Sequence, residues 1–177
     1  MTDAAVIELP AAVYEELHRH LVRNPGANEE AAFVFAKHDA TQNRFEYLEW
    51  FAVTPEGFVV QLPYHFELTD ETRARTIKRA HDLGCSVIEF HSHTGPWPAQ
   101  FSSSDWAGFE EIVPHMWWRL KRRPYAAVVV TEDGFDGFAW LVDANTPARL
   151  AGISAGGQLL EPTRLSPLER VSYDWTV

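Results

Sequence analysis

Short apolar runs of strand length, broken at irregular intervals by amphipathic stretches of helical period, constrain this chain more than any other feature of its sequence. The irregular order predicts a mixed β-sheet flanked by helices, α+β in class or a three-layer α/β/α arrangement, and not a doubly wound nucleotide binder. No glycine-rich phosphate loop is present. At 177 residues a single core is the default, and a composition of 46% hydrophobic and 13% aromatic residues without repeats or polar tracts predicts a folded chain.

Val6 to Leu9 reads as a short strand, followed by a helix that starts at Pro10 and carries Val13, Leu17 and Leu21 on one face. The Asn24-Pro25-Gly26 breaker ends it. Ala31 to Ala36 and Phe45 to Val53 read as adjacent strands around a turn at Thr41-Gln42-Asn43, and Phe58 to Leu62 as another strand. Thr69 caps a helix that carries Asp70 and Glu71 in its first turn and stops at Gly84. A strand from Ser86 to His93 follows, then a proline- and glycine-containing loop. A third helix starts at Ser102 or Ser103, its apolar face formed by Trp106, Phe109, Ile112, Val113, Met116, Trp117 and Leu120, with a kink expected at Pro114. Tyr125 to Thr131 and Phe135 to Val142 flank Glu132-Asp133-Gly134 as a hairpin. Beyond Asn145 the pattern weakens. A domain over residues 1–145 is expected, with 146–177 a loosely structured or docking extension whose Tyr173 and Trp175 contact the body or a partner.

A formal charge of −10 and a pI near 5.2 argue against nucleic-acid binding, which needs a concentrated cationic face. The one basic run, Arg119 to Arg123, lies where a helix is expected to end and suits that role. Cys85 is the lone cysteine, so neither an intramolecular disulfide nor a cysteine-rich metal site can form. With no signal-peptide pattern and no apolar run of membrane-spanning length, a cytoplasmic protein without membrane association is expected.

Side chains alternate along a strand, so in Glu89-Phe90-His91-Ser92-His93 the two imidazoles share a face and can share one ion. Asp105, in the first turn of the next helix, can turn back toward them. Two histidines and one aspartate leave the fourth position of a tetrahedral zinc open to water, as in catalytic rather than structural sites. Glu89 lies on the same face, either as a partner that orients one imidazole or as a plain strand residue. His81 and His115 read as surface or partly buried helix residues and Cys85 as a small core residue. Trp97, on the loop between the ligands, is a substrate contact or a packing residue.

His91-Ser92-His93, the loop, and Ser102-Ser103-Ser104-Asp105 resemble the JAMM motif of the JAMM/MPN (Mov34/JAB-type) metalloproteases, in the form of short prokaryotic stand-alone members. The family also places a glutamate upstream, before a strand of small apolar residues, and Glu29-Glu30-Ala31-Ala32-Phe33-Val34-Phe35-Ala36 is similar to that segment. The resemblance spans roughly Glu8 to Val142. It departs from the pattern at Thr94, where proline is commoner, and in a loop one residue longer. It implies a cytidine-deaminase-like fold, a Zn2+ cofactor held by His91, His93 and Asp105, proton abstraction by Glu29 and oxyanion stabilisation by Ser102. Glu29 is chosen over Glu30 on its spacing to the strand.

What such members do implies cleavage after the C-terminal tail of a ubiquitin-like modifier or sulfur-carrier protein, with activating or conjugating enzymes of the same system as further partners. Two other roles stay open at this point. One is a non-catalytic scaffold, as in family members that have lost the metal; the other is a regulatory or storage zinc site.

Overall fold

The computed structural model describes residues 4–23 and 27–168. The Asn24-Pro25-Gly26 breaker and the expected docking residues Tyr173 and Trp175 lie outside them. In chain order the elements are β1 (Val6–Leu9), α1 (Ala11–Val22), β2 (Ala31–Asp39), β3 (Arg44–Ala52), β4 (Phe58–Leu62), β5 (His65–Leu68) and α2 (Asp70–Leu83). They continue with β6 (Ser86–Ser92), α3 (Ser103–Arg119), β7 (Tyr125–Val130), β8 (Phe135–Trp140), β9 (Pro147–Arg149), β10 (Gly152–Ala155) and β11 (Gln158–Leu160).

Nine strands form one mixed sheet in the order β11-β10-β1-β3-β2-β6-β7-β8-β9, and β4 and β5 form a separate hairpin. The β6–β7 and β1–β3 pairs are parallel, whereas β2 runs antiparallel to both β3 and β6. Strand alternation divides the core into two layers. Ala32, Val34, Ile88, Phe90, Ala126 and Val128 face Leu17 and Leu21 of α1. Phe33, Phe35, Val87, Ala127 and Val129 face the opposite side, packed with Ala80 of α2 and with Phe109, Val113, Met116 and Trp117 of α3. Because both faces of the central strands are covered, they are apolar in nearly every position, as fully buried strands must be. The expected three-layer arrangement is therefore the observed one.

The helix ends follow local chemistry. Thr69 Oγ1 accepts the Thr72 N–H at 3.1 Å, and Gly84 closes α2 at φ 64°, a left-handed conformation that costs glycine least. Ser102 caps α3 reciprocally: its Oγ accepts the Asp105 N–H at 3.1 Å, while Asp105 Oδ2 accepts the Ser102 N–H at 2.7 Å. The helix runs unbroken through Pro114 to Arg119. Among the described residues no helix is long and apolar enough to cross a membrane.

Two regions differ from the sequence expectation. His65–Leu68 is a strand that the sequence reading missed, paired with β4. Of the described residues after 145, three short segments are strands rather than loose structure: β9 extends the sheet beside β8, and β10 and β11 extend it beside β1. These strands are three or four residues long and are held by the edges they join, so their own sequences carry almost no period.

Leu17 is 1% exposed on the face remote from the histidines. Leu17→Ala is expected to lower unfolding free energy by about 2–5 kcal/mol, read by chemical denaturation, with metal affinity unchanged.

Candidate metal centre

The site is set by strand parity and register. β2 pairs with β6 so that Ala31 lies opposite His91, and β7 places Val129 on the other side. Small neighbours leave room for an imidazole on the face shared with α2 and α3. His91 is 1% exposed, and its ring lies between those of Phe66 and Phe101, at centroid distances of 5.6 and 5.7 Å. His93, two residues on, keeps the same parity and continues the ladder through its N–H to Val130 O.

Glu29 is two residues before Ala31 and so shares its face. Its carboxylate is buried, with Oε1 3.9 Å from His93 Nε2. Glu30 has the opposite parity, and its carboxylate pairs with Arg23 at 3.3 Å and lies 3.9 Å from His20. The structure thus brings Glu29 to the histidines and turns Glu30 away. Ser92, the middle residue of the triplet, fixes this segment: its Oγ accepts the Glu30 N–H and its N–H donates to Glu30 O, both at 2.9 Å. Gln61 Nε2 donates to Glu29 O at 2.9 Å, and Leu62 O accepts the Glu29 N–H at 2.9 Å. Sequence reasoning singled out neither Ser92 nor Gln61 for this work, since their bonds join segments far apart in the chain.

α3 brings a third group able to ligate a metal. Asp105 Oδ1 lies 3.4 Å from His91 Nε2 and Oδ2 lies 3.1 Å from His93 Nε2, while the two Nε2 atoms are 3.3 Å apart. A tetrahedron with arms of about 2.0–2.1 Å, the usual reach from zinc to nitrogen or oxygen, has edges of about 3.3–3.4 Å. The donor set and its spacing therefore fit a zinc-sized ion held by His91, His93 and Asp105, the group whose ligand atoms converge here.

The electrostatics are those of a charged cluster with little water. Burial opposes charge on Asp105, but the His91 charge and hydrogen bonds from both imidazoles outweigh it and hold the carboxyl well below its ordinary range. Burial likewise opposes charge on His91; Asp105 and then Glu89 overcome it and push the imidazole up to about 10. Glu29 goes the other way: burial and the Asp105 charge raise it to about 7 although both histidines pull it down.

Glu89 Oε1 stands 3.5 Å from His91 Nδ1, which has no closer partner among the described residues, and Glu89 Oε2 accepts the buried Tyr125 hydroxyl at 2.7 Å. A carboxylate behind the ligand is thus itself anchored, the arrangement that fixes an imidazole's tautomer at metal sites. Ser102 and Asp105 line a cavity of about 300 Å3 that also takes in Glu29, Phe66, Phe109 and Ile112. Trp97 is 73% exposed on the loop between the ligands, Cys85 is buried, and His81 and His115 are exposed on their helices.

A three-layer α+β domain with a convergent His-His-Asp cluster beside a buried glutamate fits a JAMM-type metallohydrolase. Residues 10–142 match the family described as prokaryotic homologs of the JAB domain, and the chain belongs to that family. No curated protein matches it.

Two outcomes are expected. Because His91 holds a proton well above neutrality in the metal-free protein, and a ligand imidazole must be neutral, zinc uptake should release protons and affinity should rise from about pH 6 to about pH 8. Calorimetry in buffers of different ionisation enthalpy measures this. Glu89→Gln should weaken zinc binding about 10–100-fold in a competition assay with a chelating dye, with the far-ultraviolet spectrum unchanged.

Proposed function

We propose that this protein is a zinc-dependent peptidase of the JAMM type that hydrolyses the acyl bond after the C-terminal tail of a ubiquitin-like or sulfur-carrier-like protein. The observation that carries the reading is the buried Glu29 carboxylate 3.9 Å from a ligand nitrogen of the cluster. A purely structural or storage metal has no use for a carboxylate kept close to the ligands and raised toward neutrality.

His91, His93 and Asp105 would hold the ion, which when bound supplies Lewis acidity and makes a neighbouring water more acidic. Glu29 takes one proton from the attacking water as its oxygen bonds to the carbonyl carbon. It returns that proton to the nitrogen as the carbon–nitrogen bond breaks, leaving a free amine and a carboxylic acid whose remaining proton, the second of the water, passes to solvent or to the amine. A carboxylate near pH 7 is matched to both halves of that exchange. Ser102 Oγ accepts the Asp105 N–H with a lone pair, so its own hydroxyl proton can donate to the developing oxyanion.

The substrate class rests on the family and on two features of the cleft. β5 pairs only with β4 among the described residues, leaving an outer strand edge near the cavity on which an extended tail can add main-chain hydrogen bonds. Thr94 Oγ1 donates to Pro63 O at 2.6 Å, joining the ligand loop to the turn of that hairpin. The exposed rings of Tyr64 and Trp97 lie on these two segments and offer apolar surface to a protein substrate.

Cleavage of a fusion ending in such a tail should stop on chelation and return with zinc, and Glu29→Gln should lower kcat by about a hundredfold or more while retaining zinc. Equal product from wild type and Glu29→Gln would overturn the mechanism. The acid limb of kcat/KM should lie at or below about pH 7, with rate falling as Glu29 takes up its proton, because a bound cation lowers the value of about 7 found without it.

A further inference from the structure

Residues 161–166 lie beyond the span that defines the family, yet they are lashed to the loop that carries the site. Ser166 is fully buried, and its Oγ accepts the Phe101 N–H at 2.8 Å. Its own N–H donates to Oδ2 of Asp136 at 2.9 Å, and its carbonyl accepts from Arg149 Nη2 at 2.7 Å. Asp136 is 1% exposed on β8, and its Oδ1 accepts the Gly137 N–H. Thr163 makes a second tie, with Oγ1 donating to Ala99 O at 2.6 Å and its N–H donating to Phe135 O at 2.8 Å.

Phe101 is where these bonds meet the chemistry. Its ring is buried against His91, Phe109 and Phe138, and the next residue, Ser102, caps the helix that presents Asp105. A buried backbone N–H without a partner is costly, so the Phe101 amide needs an acceptor, and Ser166 supplies it. Removing that acceptor frees the segment between Ala99 and Ser102, and with it the direction from which Asp105 approaches the imidazoles.

We propose that Ser166 is a positioning residue of the metal centre, through which the segment following the family domain fixes the Phe101–Asp105 turn against His91. The clamp acts through backbone and ring, and Ser166 itself touches no ligand atom. The inference rests on the metal reading of His91, His93 and Asp105 only for its functional consequence.

The test uses the full chain in three forms: wild type, Ser166→Ala, and Leu17→Ala as a control that loosens the opposite face of the sheet. Amide exchange at Phe101 to Asp105 and zinc affinity are both measured. Ser166→Ala is expected to speed exchange selectively at these amides and to weaken zinc binding by about tenfold or more, as loss of a ligand-orienting contact does. Leu17→Ala is expected to lower stability and leave both readouts at their wild-type values. Ser166→Thr, which keeps the hydroxyl, should recover exchange protection.

Unchanged exchange and affinity in Ser166→Ala would overturn the proposal, as would an equal loss of affinity in Leu17→Ala, which would make the effect one of general stability. If Ser166→Ala fails to fold, Asp136→Asn, which keeps an acceptor but removes the charge facing the Ser166 amide, serves the same comparison. Wild type that takes up no zinc would instead defeat the metal reading, and the clamp would stand or fall on exchange at Phe101 alone.

Discussion

The register between β2 and β6 is the constraint on which the site depends. Side chains on a strand alternate with a period of two, so a one-residue slip would either turn His91 and His93 toward α1 or bring Glu30 to their face in place of Glu29. Ala31 opposite His91 fixes the relation, and the reciprocal bonds between Ser92 and Glu30 hold it where the ladder gives way to the cleft. The apolar alternation that builds the two core layers also decides which carboxylate reaches the imidazoles. Packing and chemistry share one determinant here.

Around that register the structure accumulates negative groups near the imidazoles while withholding water. Asp105 and Glu89 together favour a positively charged His91 despite its burial, and the same burial keeps Glu29 close to neutral. Such a cluster without a cation is an expensive arrangement of desolvated groups, and a divalent ion resolves it by replacing protons with a single charge shared among three ligands. Phe66 and Phe101 flank His91 on both sides, and with water excluded there an ion held by the cluster would interact with its ligands more strongly.

Much of this was legible in the sequence because it is local. The shared face of His91 and His93 needs only strand parity, Asp105 needs only its place in the first turn of a helix, and Ser102 is marked by the resemblance to the JAMM motif. The helix limits at Thr69 and Gly84 follow from their own side chains and backbone freedom. Glu29, raised by the resemblance, is preferred over Glu30 on its spacing to the strand, and its carboxylate lies buried 3.9 Å from His93 Nε2. What escaped is what depends on distant partners. β5 alternates weakly over four residues and is stable only against β4, and β9 to β11 are shorter than a period can register. Ser166, Thr163 and Asp136 look like ordinary polar residues until the fold brings Phe101 and Ala99 against them.

β1 lies between β3 and β10, so the first strand of the sheet is held by a neighbour from almost the opposite end of the described chain. Closing such a pair requires ordering a very long loop before any contact rewards it, which slows the step without weakening the product. Strands β2, β3, β6, β7 and β8 can meet earlier through nearer partners. The strand carrying His91 can therefore pair with β2 and β7 before β10 reaches β1. A chain folding in that order would pass through a stage with a formed sheet and an unbraced loop before Asp105, so that any tight hold on an ion would come last.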